Sequence, residues 1–169
     1  TSFSAPIVAG LIAATMSESG GSLNANQAGL LIQNNLNEAG APGRDEVIGG
    51  GLPDMSRVLA ARTEGIYDAA VASQWVAAVD GNTQLQVTLQ NRGTETLVNA
   101  NLQVTSPAGT NYFNATTLAP GAIQTFTVPL SNPAESMRFE SIVTISNGQN
   151  DTKPANNRRV ETYNPTPAR

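Results

Sequence analysis

From residue 84 to residue 90 the chain reads Gln-Leu-Gln-Val-Thr-Leu-Gln, with Leu85, Val87 and Leu89 on alternate positions. Alternation at period two puts all three apolar side chains on one face of a pleated strand, an arrangement a helix cannot give. Similar stretches occur at 70–79, 96–105, 112–117, 123–130, 138–146 and 158–163. Asp80-Gly81-Asn82 reads as a hairpin turn joining the first pair, and Asn91-Arg92-Gly93 as one joining the second. Pro107-Ala108-Gly109, Pro120-Gly121 and Asn147-Gly148 separate most of the later strands. Short strands at intervals of about ten residues predict an immunoglobulin-like antiparallel β-sandwich of about seven strands over residues 66–169.

Ahead of Thr63-Glu64-Gly65 the period is helical, so the chain reads as α+β in two parts, 1–65 and 66–169. Almost every position from Ile7 to Met16 is Ala, Gly, Leu, Ile, Val or Met. Ser2 or Ser4 is placed to cap this helix, Pro6 falls in its first turn, and Gly20-Gly21 ends it. A second helix is expected over 24–37, capped by Asn24 or Asn26, with Ala28, Leu31, Ile32 and Leu36 on one stripe. A loop at 38–43, the charged Arg44-Asp45-Glu46, three glycines at 49–51 and a closing helix at 55–61 complete the segment. The leading helix is apolar all round, which belongs in an interior, yet it is shorter than the roughly 20 residues of a bilayer span. A helical segment of this size cannot enclose it. Residues 3–16 are therefore expected to pack on a second copy of the chain or on another polypeptide segment.

With 9 Lys and Arg and a net charge of −4 in 169 residues, nucleic acid is excluded as a partner. No membrane span is expected. The absence of cysteine rules out disulfides and thiolate metal sites, and the absence of histidine removes the usual base for a serine nucleophile. Only 13% of residues are charged, with Asn, Thr, Gln, Ser and Gly taking their place, as in secreted bacterial β-rich modules. A secreted or cell-surface location is the expectation.

Thr1-Ser2-Phe3-Ser4-Ala5-Pro6-Ile7-Val8-Ala9-Gly10 resembles the nucleophile motif of subtilisin-like serine proteases, G-T-S-x-[AS]-x-P-x-V-[AS]-G, less its leading glycine. Ile48-Gly49-Gly50-Gly51-Leu52-Pro53-Asp54 is similar to a later segment of that family, G-x-G-x-[LIV]-[ND]. The resemblance covers about the first 62 residues and implies the last part of a catalytic domain, with Ser2 as the catalytic serine. A hydroxyl at a helix N-terminus, where backbone N–H groups favour a developing oxyanion, suits that chemistry. The family's His and Asp have no match in this chain. The expectation is a C-terminal fragment of a serine endopeptidase acting on protein or peptide substrates and inactive alone, its residues 3–16 held by the N-terminal part of the protease domain. The alternative is a non-catalytic adhesion or binding module with a protease remnant as leader.

Asn91-Arg92-Gly93-Thr94, Leu118-Ala119-Pro120-Gly121 and Asp151-Thr152-Lys153-Pro154-Ala155-Asn156-Asn157 are similar to turns of CARDB-like or fibronectin-type modules. Asp151 with Asn147, Asn150, Asn156 and Asn157 offers oxygen ligands for calcium, but one carboxylate among amides suits turn stabilisation better. Trp75, Tyr112, Phe113 and Phe126 offer an aromatic platform for carbohydrate, against which core packing is the default. No cofactor and no metal are expected.

Overall fold

The computed structural model describes residues 3–131, 135–146 and 148–165. Helix α1 (Ser4–Glu18) follows Phe3, and no side chain among the described residues caps it; Ser4 already lies within the first turn. Gly20 and Gly21, at φ 64° and 77°, end it as the sequence predicts. Its apolar body is not enclosed. Thr15 is its one buried residue, while Ile7 is 62% and Val8 42% exposed. Helix α2 (Ala25–Gln33) starts at Asn24, which exchanges hydrogen bonds with Gln27 in a reciprocal cap.

The second helix stops four residues short of the expected end. Leu36–Asn37 forms a two-residue strand, β1, paired with β2 (Leu52–Pro53). Gly51 lets the two meet: its φ is 125°, and a side-chain carbon there would lie 2.6 Å from the Asn37 carbonyl oxygen. Helix α3 (Met55–Ala60) is capped by Asp54, whose carboxylate accepts from the Ser56 N–H at 2.9 Å.

Beyond Gly65 the chain forms two antiparallel sheets. One joins β3 (Ala69–Val79), β4 (Asn82–Asn91) and β7 (Ile123–Pro129) in the order β3-β4-β7. The other joins β5 (Leu97–Ser106), β6 (Gly109–Leu118), β8 (Met137–Thr144) and β9 (Arg158–Tyr163) in the order β6-β5-β8-β9. Leu85, Val87 and Leu89, the alternating set, are fully buried in one core with Leu102, Val104, Phe139 and Val143 of the second sheet. Each such side chain contributes roughly 1.5–3 kcal/mol on burial. The two sheets form a β-sandwich.

Asp80 and Gly81, both at positive φ, make the tight hairpin between β3 and β4, as expected. Asn91-Arg92-Gly93 does not make one, because β4 and β5 lie in different sheets. The reason is the fully buried Asn91. Its amide nitrogen donates to the carbonyls of Glu95 (2.7 Å) and Leu118 (2.8 Å), and its amide oxygen accepts from the Gly93 N–H (2.9 Å). Those bonds steer the chain across the sandwich. No helix among the described residues is long and apolar enough to cross a membrane.

Candidate functional site

The helical segment meets the sandwich at the end of β4. There Gln90, on the polar face of the alternating strand, is buried rather than solvated. Its amide donates to the Leu36 carbonyl (2.9 Å) and accepts from the Glu38 N–H and from Arg92 Nε (both 3.0 Å). Arg57 of α3, 4% exposed, enters the same seam. Its Nε donates to the Arg92 carbonyl (3.1 Å), and its Nη1 to the Leu36 carbonyl (2.7 Å) and the Asn37 side-chain oxygen (3.0 Å). Among the described residues neither Arg57 nor Arg92 forms an ion pair. Carbonyl oxygens satisfy Arg57 instead.

Burial, then the neighbouring Arg92 charge, pulls the Arg57 guanidinium below its ordinary pKa. Burial likewise pushes Asp68 upward, against the hydrogen bond from Asn156 Nδ2 to its Oδ1 (2.8 Å). Glu38 is also raised by burial, partly offset by the Gly43 N–H at 3.0 Å. Arg57, Asp68, Arg92 and Lys153 line a cavity of about 240 Å³. The arrangement is a clamp between two parts of the chain, built from donors to backbone carbonyls.

Of the residues singled out in the sequence, Ser2 lies outside the described residues, as does Asn147. Asp151 spends both carboxylate oxygens on backbone donors, one from Ala69 (2.9 Å) and one from Lys153 (2.8 Å). It closes a turn and ties that turn to the start of β3. No group of three or more His, Cys, Asp or Glu placed to hold a metal occurs among the described residues. The four aromatics do not form one platform. Phe113 and Phe126 stack at 5.0 Å, Tyr112 stands alone and exposed, and Trp75 is 43% exposed on β3. Core packing of Trp75, the default expectation, is therefore corrected: β3 is an outer strand, and Trp75 reaches solvent there.

The two-sheet arrangement has a counterpart among solved structures. The CARDB domain of a Pyrococcus furiosus protein, crystallised in complex with di-metal ions, is similar at 15% identity and a TM-score of 0.50, over 60% of this chain and 96% of that one. The sandwich is CARDB-like in fold. A domain of a Methanosarcina acetivorans protein described as a cell surface protein is similar at 16% identity and a TM-score of 0.49, over 61% of this chain and 95% of that one. No model of a protein family matches the chain, and no curated protein matches it.

Sequence reasoning gave no role to Arg57, Gln90 or Asp68, and used Arg92 only as a turn residue. A lone arginine in a short helix and a glutamine on a strand's polar face each look solvated. Burial comes only from the seam.

Proposed function

We propose that this chain supplies a non-catalytic β-sandwich module of a secreted or cell-surface protein, held at a fixed angle to the helical segment before it. The observation that carries this reading is the Arg57 clamp, which bonds the segment to the loop between β4 and β5 of a CARDB-like sandwich. A module of this kind acts as a spacer or adhesion unit, and the low charge fraction suits a surface outside the cell. The purified chain should neither hydrolyse peptides nor take up serine-directed fluorophosphonate probes. Residues 66–165 expressed alone should melt cooperatively, since the whole buried core cluster lies within 69–143. Rapid stoichiometric labelling of the chain, or a random-coil spectrum from 66–165, would refute it.

A second reading is favoured by the bare apolar side chains of α1. Ile7 and Val8 stand in solvent, and a groove of about 730 Å³ lined by Val8, Ile12, Leu30, Leu36 and Pro53 runs beside them. In this reading residues 1–65 end a subtilisin-like catalytic domain. Its N-terminal part covers residues 3–16, and Ser2 attacks a peptide carbonyl after giving its proton to a histidine from that part. Coding sequence upstream containing D-[ST]-G and H-G-T segments supports it. Light scattering that shows a stable dimer lost in Leu11→Asp would instead assign the face to a second copy.

A further inference from the structure

β3 and β9 are outer strands of their sheets, and the flank where they meet is not closed by strand pairing. Arg159 Nη1 crosses it to the Ala72 carbonyl (2.8 Å). Beside that bridge lies a cleft of about 310 Å³, lined by Gln74, Trp75 and Val76 of β3, Phe139 of β8, and Glu161 and Tyr163 of β9. We infer that this cleft binds a neutral sugar ring of a glycan.

Three observations converge on that chemistry. The first is Trp75, the only tryptophan of the chain, 43% exposed and lining the cleft together with Tyr163. Indole and phenol rings offer flat apolar surface to the C–H face of a pyranose, with a polar tip beside it. The second is Gln74, only 7% exposed. Its Nε2 lies 2.6 Å from Ser141 Oγ, and its Oε1 is buried with no partner among the described residues. Whichever way the amide is turned, one end stays unsatisfied, and a buried orphan of this kind calls for a ligand or a water. The third is charge. Glu161 takes both Arg159 Nε (2.7 Å) and Arg159 Nη2 (2.6 Å) on a single oxygen, Oε1. The pair is neutral, it fixes the carboxylate, and its Oε2 is left to accept a hydroxyl. An ionic ligand gains nothing from a neutral pair. A hydroxyl-rich ligand with one apolar face matches aromatic, amide and carboxylate together, the usual make-up of a small-molecule site.

Because Trp75 is the single indole, its emission reports the cleft directly. The whole chain would be titrated with cellotetraose, chitotetraose and mannotetraose, following fluorescence and, independently, calorimetry. At least one should give saturable binding with a shift in Trp75 emission. Calorimetry should show binding lost in Trp75→Ala and weakened about tenfold or more in Glu161→Gln, with Tyr112→Ala unchanged as the exposed aromatic outside the cleft. Circular dichroism melts establish that the variants fold; both Trp75 and Glu161 reach solvent, so they should. Absence of binding by all three saccharides overturns the inference. So does binding that survives Trp75→Ala, or Trp75 emission that answers to an extended peptide and to no sugar.

Discussion

The Nε of Arg57, in a helix near the start of the chain, lies 3.1 Å from the carbonyl oxygen of Arg92, in the loop that leaves the first sheet. Two like charges thus sit at one seam, and the bond runs from a guanidinium to a backbone oxygen. The hydrogen bonds offset the cost of burying that charge: Arg57 donates to the Arg92 and Leu36 carbonyls and to the Asn37 side-chain oxygen.

Arg57→Met should therefore cost about 3 kcal/mol or more, because several acceptors lose their donor at once. Urea unfolding measures it. Hydrogen exchange should show the amides of β1 and β2 opening before those of the sandwich core. Arg57→Lys should recover part of the loss. A change below about 1 kcal/mol would show the clamp to be solvated.

Asn91→Ala should be comparably severe. The substitution strands the Glu95 and Leu118 carbonyls and the Gly93 N–H in a buried loop, a loss of roughly 2–4 kcal/mol from unmade bonds. Asn91→Asp keeps the acceptor for Gly93 but loses both donors, so it should be no better than alanine. A thermal melt of each variant decides the matter.

Gly51→Ala tests the close approach of β1 and β2. The added carbon meets the Asn37 carbonyl oxygen at 2.6 Å, and φ 125° is unfavourable for any side chain. The expected penalty is about 2 kcal/mol or more, confined to the helical segment. Gly43→Ala is a useful contrast: φ there is also positive, at 80°, but open space surrounds the site, so only the backbone strain should register.

Asp68 predicts a pH dependence. Its folded pKa is raised above the ordinary 3.8 by burial, so the folded state holds the proton more tightly than the unfolded one. The resulting stability is fully present below 3.8 and is lost as pH rises through the raised value. Asp54 runs the other way: burial pushes it up, but hydrogen bonds from the Ser56 hydroxyl, the Asn37 amide and backbone N–H groups outweigh that and hold it low. Its contribution is present above 3.8 and is lost as pH falls through the lowered value. Asp68→Asn should remove this loss, so that melting temperature climbs more steeply with pH above 3.8 than in the parent chain, since the amide oxygen still accepts from Asn156. An unchanged plot would mean Asp68 is solvated.

The sequence by itself determined the parts that depend on local periodicity. Leu85, Val87 and Leu89 had to share a face, Asp80-Gly81 had to turn tightly, and Gly20-Gly21 had to end the first helix, because backbone geometry and side-chain spacing decide each within a few residues. Only the tertiary structure decided what those elements meet. Asn91-Arg92-Gly93 reads as a hairpin until the distant Leu118 carbonyl takes the Asn91 amide. The helical stripe runs on to Leu36 until Arg57 and β2 claim that residue as a strand. Gln90 and Arg57 look like surface residues, and Trp75 like core, because exposure is set by which sheet edge or neighbouring segment lies against a residue. Those contacts join positions more than eighty residues apart, such as Ala69 with Asp151 and Arg159 with Ala72, and no local pattern encodes such a meeting.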